Sequence, residues 1–582
     1  MTSYAFCRGL WLVGLSSLSL WLAGCGDESR DVDEPVTLAA GERLAPDCQG
    51  AYCGAVNTTD YGGTGIGIWR YKNDSEITRD VSVTLSNIRN KTVTIIYTNE
   101  TENNTIALPF VSPTATDSPV DETKTSDVLT DAGDDLFLTE VDREPLRGAA
   151  VNAIPDAVRL FDPTPYLQNA EITLTRPKSK LLRAARAPAI GDERVWNVNV
   201  NSKIEERRTV LKRLFSSGDR AIQIWVEPDE FGDDKMSDAM LDKIVDTVKE
   251  VIYPTVIELA GASWGAHQFA KSLIDEDQPL ALVLVNFDKN RRGMGLLGYY
   301  WSKNQFTKET MSDSNEALAL FLDTETFYLS SSGYSISPNA TGTLLMLDTI
   351  AHEMTHMVEF YQRNVLNRND EVDSSSYREF FQELPAMMME DIVAQKVDAR
   401  YHPIRDNYHK NWLWYGVDDF GCGLISFGKN CVRSPYYGYD ATGSFGAYLL
   451  RRHGIGFFRR LFVDQSRADP LERLNTLLKE AAHDDTEDFA RHVQRWGANI
   501  ALLPASGSPD KYGFPERDEI DGHLPEINGE NYRESLRLPK TPPAQLESFA
   551  FYPLTRKTTQ SDTMSESFAV PPGVSLTVVV GR

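Results

Sequence analysis

Residues 348–362 read DTIAHEMTHMVEFYQ. The run leading into them, NATGTLLMLD from Asn339, has no proline, and apolar residues continue through Ile350, Met354, Met357 and Phe360 at spacings of three and four. That is the period of one helical face. On such a helix His352 and His356 stand one turn apart on the same side. Two imidazoles so placed can bind one zinc ion per chain, and Glu353 can reach a water bound to it. With nine histidines in 582 residues, an H-E-x-x-H match is expected by chance in roughly one such chain in a hundred.

A catalytic zinc needs a third protein ligand and one open position. The stretch FFQELPAMMMEDIVAQ, from Phe380, offers Glu383, far enough beyond His356 for one helix to end and a second to return. Pro385 suits the first turn of that second helix, which would put Glu383 at its start. Glu390 falls two turns along the same face, where a carboxylate can hydrogen-bond a ligating imidazole and fix its orientation. Glu359 and Glu379 are rival third ligands. Asp348, one turn before His352, reads either as a partner behind the metal or as a helix-cap acid. Peptide hydrolysis also needs a donor for the developing oxyanion. Tyr437, Tyr439 and His453, in SPYYGYDATGSFGAYLLRRHG, are the candidates by chemistry and sequence position.

The rest of the chain says where such a centre would work. Formal net charge is -25 and hydrophobic residues make up 41%, so a globular protein is expected, and nucleic acid is not a partner. The N-terminal MTSYAFCRGLWLVGLSSLSLWLAGCGDESR places an apolar run before Leu22-Ala23-Gly24-Cys25. It resembles a bacterial lipoprotein signal, cleaved to leave Cys25 lipidated and the protein anchored at the cell envelope, with an uncleaved anchor or a plain secretory signal as the alternative. With Cys7 lost and Cys25 assigned to lipid, Cys48 with Cys53 and Cys422 with Cys431 form two close pairs. Such pairs suit disulfides made in an oxidising compartment.

A chain of this length suggests several domains. After the signal (1–25) and an acidic tether (26–45), short β-type runs such as VSVTLSNI, KTVTIIYTN and AEITLTR predict a β-rich, sandwich-like accessory domain over 46–180. The segment TATDSPVDETKTSDVLTDAGDD reads as a loop, and RPKSKLLRAARAPAIGDERVW as a basic linker or processing-sensitive junction. From 190 to 500 strands alternate with helices: RAIQIWVEP, LALVLVNF and ALALFLDTETFYL as strands, and SDAMLDKIVDTVKEVIYPTVIEL as a helix capped by Ser237. Residues 535–582 return to β runs and predict a small C-terminal β module.

H-E-x-x-H followed by an acidic residue on a second helix resembles the gluzincin metallopeptidases, and the surroundings are similar to the hyicolysin family of bacterial extracellular metalloendopeptidases. The resemblance rests on GYYWSKNQF from Gly298, SDSNEALALFLDTETF from Ser312, LDTIAHEMTHMVEF from Leu347 and FFQELPAMMMED from Phe380. It covers about 190–500. Where N-E-G-L-A is usual, this chain has Gln382-Glu383-Leu384-Pro385-Ala386, keeping the glutamate and replacing the glycine. A G-A-M-E-N motif for gripping a free amino end is absent, which favours cleavage within chains. The resemblance therefore implies an α+β catalytic domain of zincin type, with His352, His356 and Glu383 on zinc and Glu353 as general base. Zinc lowers the pKa of bound water from about 15.7 towards about 7. Two alternatives stay open: a surface binding lipoprotein that keeps the fold without turnover, and a metallohydrolase acting on another substrate.

Overall fold

Apolar side chains that alternate, or run on unbroken between turn residues, set the strands of this chain, and two such sets build separate sheets. The computed structural model describes residues 44–108, 154–170 except 160 and 169, and 188–581 except 292, 294, 331–332, 335–338, 368–376, 416–418, 430, 432–435, 465–467, 502–506, 520–521, 537–542 and 558–560. Cys25, most of the tether, the loop from Thr114 and all but the first residue of AEITLTR lie outside them.

The N-terminal region contributes β1 (Gly67–Lys72), β2 (Arg79–Ser86) and β3 (Thr92–Asn99). A second sheet is made by β4 (Glu193–Val200), β5 (Lys203–Ser217), β6 (Arg220–Val226), β7 (Leu280–Val285), β8 (Gly298–Tyr300) and β9 (Leu318–Asp323). Its order is β8-β9-β7-β6-β5-β4. β7 runs parallel to β6 and β9, and the remaining pairs are antiparallel. β7 (LALVLV) and β9 (LALFLD) are buried at every position, as strands covered on both faces must be. The stretch ALALFLDTETFYL does not stay extended throughout. Asp323 accepts from Thr326 N at 2.7 Å and caps a helical turn over Thr324–Tyr328, the side-chain capping that short acids favour.

Helix α1 (Asp238–Thr247) starts on Ser237, whose hydroxyl accepts from Met240 N at 3.3 Å, and passes through a wider turn into α2 (Tyr253–Ala260). α3 (Thr341–Glu359) carries the two histidines, and α4 (Arg378–Val397) packs directly on it. α5 (Tyr436–Val463) covers α4 and bends at Gly454, where φ is 75°. α6 (Phe489–Ala498) lies against α5 and the N-terminal sheet. No helix among the described residues is long and apolar enough to cross a membrane.

The C-terminal strands β10 (Phe551–Lys557), β11 (Thr563–Val570) and β12 (Val574–Gly581) do not form the separate module expected for 535–582. β12 lies between β1 and β3, β10 pairs with the other edge of β3, and β11 pairs with β2. The physical reason is burial. β12 is buried on both faces along VSLTVVV, so it needs neighbours that a lone hairpin cannot supply. Inward residues of the β2/β11 ribbon, Val81, Val83, Phe568 and Val570, join the same core as Ile68, Ile95 and Val578. The β-rich region is thus assembled from both ends of the chain. Both expected disulfides, Cys48–Cys53 and Cys422–Cys431, are formed.

Candidate functional site

α3 begins at Thr341, well before Asp348, so its buried second half presents His352 and His356 one turn apart, with Glu353 beside the first. α4 begins at Arg378 rather than beside Pro385, which therefore lies inside the helix, not in its first turn. A proline there forgoes the bond to the carbonyl four residues back. Glu383 consequently projects from the second turn, and Glu390 follows on the same face.

The two helices bring three donors together. His352 Nε2 and His356 Nε2 are 3.0 Å apart, and Glu383 Oε2 lies 3.1 Å from the first and 3.7 Å from the second. One ligand atom from each of the three falls within 4.8 Å of the others. Ligand atoms around a tetrahedral zinc stand roughly 3.3 Å apart, given bonds of about 2.0–2.1 Å, so these residues fit such an ion. The orientation of the rings argues the same way. His352 Nδ1 faces Glu390 Oε1 at 2.6 Å and His356 Nδ1 faces Glu359 Oε2 at 3.3 Å. A carboxylate only accepts, so each Nδ1 carries a proton. In neutral imidazoles both Nε2 lone pairs then point at each other and at Glu383, an arrangement that a cation relieves.

Burial and charge agree. Burial opposes a proton on each imidazole, but Glu383 and Glu390 outweigh it at His352 and raise its pKa well above the usual value. At His356 burial is outweighed by Glu383 and Glu359, and its pKa is raised to about 9. Burial likewise works against charge on Glu383, yet the two imidazoles hold its carboxyl far below the ordinary range. The pocket is built for positive charge.

Glu353 is fully buried, and burial raises its pKa against the pull of both imidazoles. Its Oε2 accepts from the backbone N–H of Tyr300 on edge strand β8 at 2.7 Å, while Oε1 is left buried without a hydrogen-bond partner. Glu353, His356, Glu383 and Tyr300 line a cavity of about 100 Å³. Behind His352, Asp348 lines a space of about 10 Å³ with Glu390, Tyr408 and Tyr439. Asp348 is buried, its carboxylate oxygens have no hydrogen-bond partner, and burial followed by the nearby Glu390 pushes its pKa well up. Its place inside α3 removes the helix-cap alternative.

Of the three oxyanion candidates, only Tyr439 meets this cluster, with its hydroxyl 3.5 Å from Glu383 Oε1. Tyr437 instead donates to Cys422 O at 3.4 Å. His453 faces His492 at 2.7 Å, among Arg452, Arg517 and Glu487 rather than the converging donors. Glu379 is no rival for the third position, since it pairs with Arg159 and, at 3.5 Å, with Lys429. Two contributions escape sequence reasoning. Glu359 touches His356 from the same helix, for which the i, i+3 spacing was a usable signal. The Tyr300 N–H on Glu353 is a backbone group and leaves no trace in residue identity.

A sequence model described as a domain of unknown function matches residues 46–112, the region holding β1, β2 and β3. No curated protein matches the chain. The peptidase M30 model matches residues 203–581, which takes in the second sheet apart from β4, the converging histidines and glutamates and the C-terminal strands. The chain therefore belongs to the peptidase M30 family, which indicates a peptidase.

Proposed function

We propose that this chain is a zinc-dependent endopeptidase of gluzincin type, with His352, His356 and Glu383 holding one zinc ion and Glu353 as general base. The observation that carries the reading is the convergence of the three donors beside the unpartnered, buried Glu353 Oε1. When bound there, zinc would supply Lewis acidity to a peptide carbonyl and lower the pKa of a water. Glu353 then takes the proton of the attacking water and passes it to the leaving nitrogen; a carboxylate whose proton affinity is raised by burial suits both tasks. The Tyr300 N–H fixes Glu353 through one oxygen and leaves the other for this transfer. Glu390 and Glu359 hold the imidazoles in the tautomer that presents Nε2. Tyr439, kept protonated by burial and by the Glu383 charge, is the candidate oxyanion donor that contacts a ligand of the metal, Glu383.

Export and anchoring through Cys25 at a bacterial envelope belong to the same proposal, and the two disulfides support an oxidising compartment. The complete set of donors and base favours turnover over a binding lipoprotein. The test is zinc content and casein hydrolysis on one preparation, with Glu353→Gln and Glu383→Ala alongside. We expect one zinc per chain, hydrolysis lost in both variants, and metal lost mainly in Glu383→Ala. Stoichiometric zinc with no hydrolysis by the parent, across conditions and substrates, would leave the binding lipoprotein or a latent precursor.

A further inference from the structure

We propose that the segment carrying Ile154, Val158, Arg159, Phe161 and Pro163 occupies the substrate cleft of this same chain and holds the centre closed until it is displaced; this rests on the peptidase reading above. The cavity beside Glu353, His356 and Glu383 is also lined by Ile154, Val158, Arg159 and Phe161. Its volume of about 100 Å³ falls well short of the roughly 300–1,000 Å³ that ligand pockets provide. A peptide cannot enter while the segment stays.

The segment is tied to both walls. On the side of the second sheet, the Phe161 ring meets Trp301 and Phe306 edge-on at 6.4 and 6.3 Å. On the side of α4, Arg378 Nη2 donates to the Phe161 carbonyl at 2.6 Å and Arg159 pairs with Glu379. Capture of a main-chain carbonyl together with a packed aromatic ring is how a cleft would grip a substrate residue, and here the chain supplies that residue itself. The hold comes from side chains rather than from a sheet. The segment has two short helical turns, Asp156–Arg159 and Thr164–Gln168, and no strand among its described residues. A segment outside the sheets can leave by local opening once those side-chain contacts are lost.

The test places a reporter thiol under the segment. Gln382 lines the same cavity, and the four described cysteines are tied up in disulfides. Gln382→Cys in the full chain is reacted with a maleimide, and the rate is compared with that of the same chain carrying Phe161→Ala and Arg159→Gln. Arg159→Gln alone serves where the combined variant does not fold. We expect labelling to accelerate about tenfold or more once these anchors are gone, with peptide hydrolysis by chains keeping Gln382 rising in parallel. An unchanged labelling rate in folded protein overturns the proposal whatever the hydrolysis shows. Faster labelling with hydrolysis in neither background supports occupancy of the cleft and overturns the peptidase reading.

Discussion

Glu359 and Glu390 perform one task from two places, each turning an imidazole so that Nε2 faces inward. If that is their role, removing the charge while keeping the shape weakens the metal site before it touches the fold. Glu390→Gln and Glu359→Gln should each raise the zinc dissociation constant about 10–100-fold, read by competition with a chromophoric chelator. The effect should be larger for Glu390, whose contact is 2.6 Å against 3.3 Å. Affinities unchanged in both variants would mean that packing alone orients the rings. At this scale the pairing of His352 with His356 was legible because helical spacing fixes which side chains share a face, whereas Glu383 was reached through a helix start beside Pro385 that the structure puts at Arg378. What spacing does not fix is which ring nitrogen meets which partner, and so Glu359 read as a rival ligand rather than a support. His453 misled for a related reason: it lies on the same helix as Tyr439 but turns to His492 beside the bend at Gly454.

Helices carry a site only as well as they are seated. α3 enters beside the short turn Thr324–Tyr328 so closely that a Cβ on Gly342 would collide with the Thr326 carbonyl oxygen. That oxygen belongs to the backbone and cannot rotate away, so Gly342→Ala must move the start of α3. A loss of about 1–3 kcal/mol is expected, measured from urea midpoints. Gly456→Ala, where a Cβ would meet nothing within 4 Å, serves as the control and should be neutral or stabilising by up to about 1 kcal/mol. Equal losses at the two positions would remove the argument from close approach. Elements were the most legible level of the sequence. LALVLVNF announces a doubly covered strand, and Ser237 announces a helix start. The failures have physical causes: Asp323 competes as a helix cap inside an apolar run, and Pro385 is tolerated inside a helix held by burial along most of its length.

Across the whole molecule, what the sequence hid was pairing between distant segments. Each C-terminal strand was visible, but that β12 belongs between β1 and β3 depends on contacts no local pattern encodes. The same long-range packing buries histidines outside the site, with a consequence for acid stability. His409 Nδ1 lies 2.9 Å from Ser444 Oγ, which already accepts from Trp496 Nε1 at 2.9 Å. His492 Nδ1 lies 2.8 Å from the Asp488 carbonyl, an obligate acceptor, so its Nε2 accepts from His453. Burial, then Arg451, lowers the His409 pKa to about 3. Burial leads again at His453 and His492, with values of about 4 and about 3. The unfolded chain takes up protons below about pH 6.5 that the folded chain refuses, so stability falls as pH drops through that value and the loss levels off near pH 4 to 3. For His409 alone the loss at pH 5 is about 2 kcal/mol. Urea midpoints at pH 7.5 and pH 5 for the parent and for His409→Gln separate this contribution from that of the carboxylates. The variant should lose less on acidification, and an equal loss in both proteins would show that His409 takes up its proton without leaving the fold.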